Sequence, residues 1–96
     1  MNYRFAALAE TDLLRLAKDG SERFGAAQSS RYLSGIKGAF ELIAEFPHSN
    51  REREGYRGHC RVGRYGAHVI VYRIEIDGIV TILRVRHGRE DWLGEL

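Results

Sequence analysis

The chain has 96 residues, with 15 basic and 13 acidic side chains, four histidines and one cysteine. A single domain over residues 1–96 is the expectation. Folding at this size buries roughly 60–70% of the unfolded surface, enough for one core without metal or disulfide. Cys60 alone excludes an intrachain disulfide framework and a cysteine-based zinc site. No stretch approaches the ~20 apolar residues of a membrane span, and the first residues, MNYRFAALAETD, lack the apolar stretch of a signal peptide. The expectation is a soluble cytoplasmic protein with no membrane contact.

The charge is unevenly spread. Residues 51–96 carry nine arginines and no lysine, whereas Lys18 and Lys37 both fall in the first half. Arginine grips carboxylate or phosphate at two points and keeps its charge when partly buried. The second half therefore reads as a surface for an anion or an acidic partner; arginine-biased codon usage is the plainer explanation of the composition.

In chain order, Asn2 to Ala6 alternates polar and apolar residues and predicts a short strand. Thr11 is a candidate N-cap for a first helix, with Asp12 in its first turn. Gly20 weakens the middle of that helix, and Gly25 is a natural C-terminal cap. A second helix is expected over residues 26–45, with Leu33, Ile36, Phe40 and Ile43 forming its core stripe. Gly35, Gly38 and Ala39 are small enough to let the first helix approach. Pro47 ends this helix, and His48 to Glu54 reads as a charged, solvated loop.

Arg57 to Val62 predicts a strand, and residues 63–67 a turn. The stretch from His68 to Asp91 dominates the chain. Two runs rich in β-branched residues flank Asp77-Gly78, which predicts a hairpin with a two-residue type I′ turn. That register sets Ile70, Tyr72, Ile74 and Ile76 against Val85, Leu83, Thr81 and Ile79 on one apolar face. The other face pairs Val69 with Arg86, Val71 with Arg84 and Arg73 with Ile82. The architecture that follows is α+β, in the order β-α-α-β-β-β. A helical hairpin lies on one face of a small, mostly antiparallel sheet, and the arginine face is left open.

No Gly-rich phosphate loop, dinucleotide fingerprint, zinc spacing or serine nucleophile elbow is present, so neither cofactor nor metal is expected. His87 lies among arginines. It is either an acid/base for phosphodiester cleavage beside Arg61 and Arg84, or, opposite His68, a hydrogen-bonding hold on the C-terminal segment. Arg61, Arg73, Arg84 and Arg86 alternate with aliphatic Val69, Val71 and Ile82. That mixture suits a protein partner better than a nucleic acid. Trp92 is either a lid on the core or an interface anchor.

An ordered set of residues carries a family likeness. It comprises Asp12-Leu13, Glu22-Arg23-Phe24-Gly25, Gln28 and Tyr32, Pro47, His68-Val69-Ile70-Val71-Tyr72-Arg73 and Arg84 through Asp91. Together these resemble the ParE toxins of the RelE/ParE superfamily, over nearly the whole chain. The resemblance implies a RelE/ParE-like fold and a type II toxin–antitoxin toxin that inhibits DNA gyrase. It also implies a cognate ParD-like antitoxin whose acidic C-terminal segment folds on the toxin, and operator DNA bound only through that antitoxin. Target contact is then expected at Arg84, Arg86, His87, Arg89 and Trp92. Antitoxin contact is expected at Arg57, Arg61, Arg73, Val69, Val71, Ile82 and Leu14. An Arg84→Glu change should weaken toxicity with the fold intact. The alternative is a RelE-like, ribosome-dependent mRNA endoribonuclease using His87, Arg61 and Arg84. The chain departs from that branch in lacking a tyrosine after the last strand and any lysine in the sheet region.

Overall fold

The computed structural model describes residues 3–55 and 58–90. Strand β1 (Tyr3–Phe5) leads into helices α1 (Ala7–Phe24) and α2 (Ala26–Glu45), then a 3₁₀ turn at Pro47–Ser49. Strands β2 (Glu52–Gly55), β3 (Gly58–Tyr65), β4 (His68–Ile74) and β5 (Val80–His87) follow. The sheet order is β1-β5-β4-β3-β2. All neighbours are antiparallel except β1, which runs parallel to β5. The predicted α+β architecture therefore holds, with one strand more than expected. Glu52–Gly55, expected as a solvated loop, pairs with β3. Its alternating charges hide an edge strand, because an edge needs only one paired side.

Helix α2 has the predicted bounds, and Ile36, Phe40 and Ile43 of its stripe are buried against Ile70, Tyr72, Val80, Ile82 and Val85 of the sheet. Helix α1 starts earlier than expected, at Ala7, with Ala6 as an N-cap that makes no side-chain bond. Thr11 is inside the helix, where its hydroxyl donates to the Ala7 carbonyl at 3.3 Å. Asp12 consequently lies past the first turn. Gly25 (φ +85°) caps α1 and starts α2. The close approach between the helices falls at Gly20, where a β-carbon would lie 2.8 Å from Ser29 Oγ. Gly35 instead makes room for the Tyr65 ring, and Gly38 has no neighbour within 4 Å of that position.

The β4–β5 connection corrects the predicted turn. Glu75 N–H donates to the Ile79 carbonyl and Gly78 N–H to the Glu75 carbonyl, each at 2.9 Å. The loop is thus Ile76-Asp77-Gly78, closed by Gly78 at φ +84°. This three-residue loop with its terminal glycine bulge displaces the register by one. Tyr72 pairs with Ile82, Arg73 with Thr81 and Ile74 with Val80. A second bulge, where Leu83 is inserted, restores the expected pairs Val71 with Arg84, Ile70 with Val85 and Val69 with Arg86. Because a one-residue slip exchanges the faces of a strand, Ile82 joins the helix-facing core.

The opposite face is also apolar at its centre, where Cys60, Val71 and Leu83 pack with Ala6 and Val62. Val69, Val71 and Ile82, expected as exposed aliphatics, are all fully buried.

Candidate functional site

The arginines do not form one open surface. Arg61 pairs in register with Tyr72, a core residue of the helix side, and donates to the Asn50 carbonyl at 2.6 Å. Arg73 donates to Glu75 at 3.1 Å, and the Thr81 hydroxyl donates to the same carboxylate at 2.8 Å. These two donors, Thr81 first, hold the Glu75 carboxyl below its ordinary range. Arg84 Nε and Nη2 donate to Asp12 Oδ2 and Oδ1 at 2.8 and 3.0 Å. The Asp12 side chain is 5% exposed and that of Arg84 14%. Arg84 therefore ties β5 to α1. An Arg84→Glu change would set a second carboxylate against a buried one, so it tests the fold rather than a contact.

The residues expected for ribonuclease chemistry are not brought together. Arg61 is opposite Tyr72 and His87 opposite His68. These rows are four positions apart along β4, about 13 Å at strand rise. Arg84 is bound to Asp12. His87 itself makes contacts within the fold. Its Nδ1 accepts from Arg89 N–H at 3.0 Å, and its ring meets that of His68 edge-on, with centroids 5.3 Å apart.

His68 is the middle of a polar chain. The Tyr32 hydroxyl, from α2, lies 2.7 Å from His68 Nδ1. It also accepts from Ala67 N–H at 3.2 Å and lies 3.1 Å from the Tyr65 carbonyl. One phenol thereby fastens the β3–β4 turn to α2. Burial raises the Tyr32 pKa, offset in part by the Ala67 amide. Burial, and secondarily the charge of His87, lowers that of His68, while Glu90 acts in the opposite sense.

These groups wall a cleft of about 560 Å³ between the helices and the far end of β4 and β5. Its cations are Arg15, Arg23 and Arg86, and its apolar wall includes Leu16, Phe24 and Val85. Phe24 is more than half exposed, as is Leu14 on the same helix. At the edge of the cleft, β5 ends in a turn in which Glu90 accepts from Arg86 and from His87 N–H. Arg86, first, and the His87 amide keep the Glu90 carboxyl below its usual range. Among the expected target residues, Arg86, His87 and Arg89 are thus brought together. Trp92, and Arg57 of the partner set, lie outside the described residues.

Asp12, Arg15, Arg23, Tyr32 and Glu90 carry the cleft and were not assigned roles from sequence. Asp12 sits 72 positions from Arg84, and no local pattern announces such a pair. Among the described residues no group of three or more His, Cys, Asp or Glu side chains is placed to hold a metal, and no helix is long and apolar enough to cross a membrane.

Comparison with known proteins gives a consistent picture. Residues 3–92 match the family model described as the ParE toxin of the type II toxin–antitoxin system parDE. Toxin ParE1 of Mycobacterium tuberculosis, in strains CDC 1551 / Oshkosh and ATCC 25618 / H37Rv, is 27% identical over 89 residues. That match covers 93% of this chain and 91% of the relative. The fold is similar to a chain of the chromosomal ParDE system from P. aeruginosa, with a TM-score of 0.71, 13% identity, and 91% and 95% of the two chains covered.

Proposed function

Since the chain belongs to the ParE toxin family of type II toxin–antitoxin systems, we propose that it inhibits DNA gyrase and is neutralised by a ParD-like antitoxin. Binding rather than catalysis is its mode of action. The observation that carries this reading is the cleft between α1 and the end of β5, with arginines on a partly apolar wall. A segment that folds on the toxin has there an apolar seat, with Arg15 and Arg23 standing beside Asp12, Asp19 and Glu90 as polar partners. Exposed Leu14 and Phe24 extend that seat along α1. The target-facing end is the turn bearing Arg86, His87 and Arg89, together with Trp92. Operator DNA is reached only through the antitoxin.

The dispersal of Arg61, Arg84 and His87 over the sheet favours this reading over ribonuclease action. The test is parallel exposure of the purified chain to gyrase with supercoiled plasmid, and to translating ribosomes with messenger RNA. Broken or unsupercoiled plasmid with intact transcript is the expected result. Cleaved transcript with unaffected gyrase overturns it.

A further inference from the structure

One face of the sheet is buried without a described element lying on it. A β-carbon on Gly63 would lie 3.0 Å from Ile43 Cδ1, so Gly63 faces α2, as does the Tyr65 ring beside Gly35. Side chains alternate along a strand, so Cys60, Val62 and Arg64 of β3 point away from the helices. Val71 is paired with Val62, and Leu83 packs with it on that same side. Yet Cys60 is 1% exposed, Val71 0% and Leu83 4%. Their described apolar neighbours are Ala6, which continues β1, and Val62 of β3. Neighbours in the plane of the sheet, about 4.8 Å away, shield the flanks of a side chain and leave its tip to solvent. Something further lies over these three.

Chain geometry narrows the cover to one stretch. Residues 56 and 57 close the turn between the paired Gly55 and Gly58, four positions or about 13 Å from the Val62–Val71 row. Residues 1 and 2 precede Tyr3, which pairs with Val80 at the end of β1 remote from Leu83. Residues 91–96 follow β5 at a suitable place. Gly88 N–H donates to the Ala67 carbonyl at 2.7 Å, and a β-carbon on Gly88 would lie 3.1 Å from Arg64 Nη1. The turn after β5 therefore passes beside a side chain of the helix-free face. Six residues reach up to about 20 Å, enough to cross to Cys60, four positions from Arg64 along β3. Their sequence, Asp-Trp-Leu-Gly-Glu-Leu, offers three large apolar side chains and two carboxylates. Arg53 and Arg64, at the rim of this face, make no ion pair among the described residues. Arg53 Nε is itself buried there with no hydrogen-bond partner.

We infer that residues 91–96 cross the helix-free face of the sheet as its cover, with the Trp92 indole seated on Val71 and Leu83. Asp91 and Glu95 then stand among the arginines of the rim. Trp92 serves the target-facing end as the anchor of its turn, not as a free side chain. The inference is independent of which target or antitoxin the toxin meets.

Trp92 is the sole tryptophan and Cys60 the sole cysteine, so each is its own reporter. In the unmodified chain, NMR should show cross-relaxation from the Trp92 indole protons to the methyl groups of Val71 and Leu83. These cross-peaks should persist on dilution and be missing from an isotope-filtered spectrum of mixed labelled and unlabelled chains. Their absence from the unmodified chain would overturn the inference. So would their appearance between chains, which would make a second copy the cover. Deleting residues 91–96 should raise the rate of Cys60 alkylation by iodoacetamide about tenfold or more. The Val85 amide, held by Asp12, reports an intact β5 in the shortened chain. Trp92→Ala, which keeps the backbone, should act in the same sense. Cys60 left unreactive by both changes would also sink the inference. Should the shortened chain fail to fold, the cross-peaks of the unmodified chain decide alone.

Discussion

The carboxylate of Asp12 on α1 holds the guanidinium of Arg84 on β5 in a two-point grip, past the end of β1, where among the described residues the sheet has no further strand. The same carboxylate accepts from Val85 N–H, so three donors depend on one side chain. Asp12→Ala should therefore destabilise the fold by about 3–5 kcal/mol, the range for removing one member of a buried pair. Urea unfolding followed by circular dichroism reads the loss. The double change Asp12→Leu with Arg84→Met should cost markedly less than Asp12→Ala, because apolar side chains then replace both members of the buried ion pair. A double variant as unstable as the single would show that the pair acts through something other than charge.

Helix glycines that look alike in the sequence should respond oppositely. Gly38 has open space around it, so Gly38→Ala should stabilise the chain by about 0.5–1 kcal/mol through helix propensity. At Gly35 a β-carbon would lie 1.7 Å from the Tyr65 hydroxyl. Gly35→Ala must move that ring, and overpacking of this kind costs about 1–3 kcal/mol. Thermal unfolding of the two variants side by side should give shifts of opposite sign.

How much of this was legible follows the range of the interactions. Helix α2 and its stripe could be read because a 3.6-residue period is local, and the His68–His87 pair because strand alternation carries across a hairpin. The Ile76-Asp77-Gly78 loop was misread by one residue, since Asp-Gly serves both the two-residue turn and the three-residue loop with a glycine bulge. That single residue moved Ile82 from the expected open face into the core. The Leu83 bulge returned Arg84 and Arg86 to their expected partners, so the far end of the hairpin was right. The cleft was not legible. Its walls come from α1, α2, the β3–β4 turn and the end of β5, and only packing brings Arg15 and Arg23 beside Arg86.

The Tyr32 hydroxyl should be worth more than its single atom suggests. Tyr32→Phe leaves His68 Nδ1, Ala67 N–H and the Tyr65 carbonyl without their common partner. A loss of about 1–3 kcal/mol is expected for such deletions. Hydrogen exchange at the Ala67 amide should accelerate more than exchange in the middle of β4. Uniform acceleration across the sheet would argue for a general rather than a local role.

Stability should fall as pH is lowered from 7.5 to 5.5, and His68 should account for part of the fall. Its folded pKa lies below 6.5 because burial, then the charge of His87, disfavours the imidazolium. The unfolded chain then binds more protons than the folded one around and below 6.5, so unfolding is favoured by acid. The window is separate from that of Glu75 and Glu90, whose folded values are depressed below 4.5 and whose contribution is lost only at lower pH. His68→Asn should flatten the dependence of Tm on pH between 5.5 and 7.5 while leaving the acid limb below 4.5 in place. A slope unchanged in this variant would assign the near-neutral titration to another group.

Arg89 separates contact from folding where Arg84 does not. It is exposed on the turn that follows β5, and the bond from its amide to His87 Nδ1 does not involve its own side chain. Arg89→Glu should thus leave the unfolding midpoint within about 0.5 kcal/mol of the unmodified chain, as expected for a surface change. If the end of β5 meets the toxin's target, the same change should reduce growth inhibition at matched expression. Arg84→Glu should reduce it too, but with loss of folded protein in the same cells. Comparison of toxicity with the amount of folded protein distinguishes the two. Full toxicity in Arg89→Glu, with the fold intact, would move the target-facing surface away from this turn.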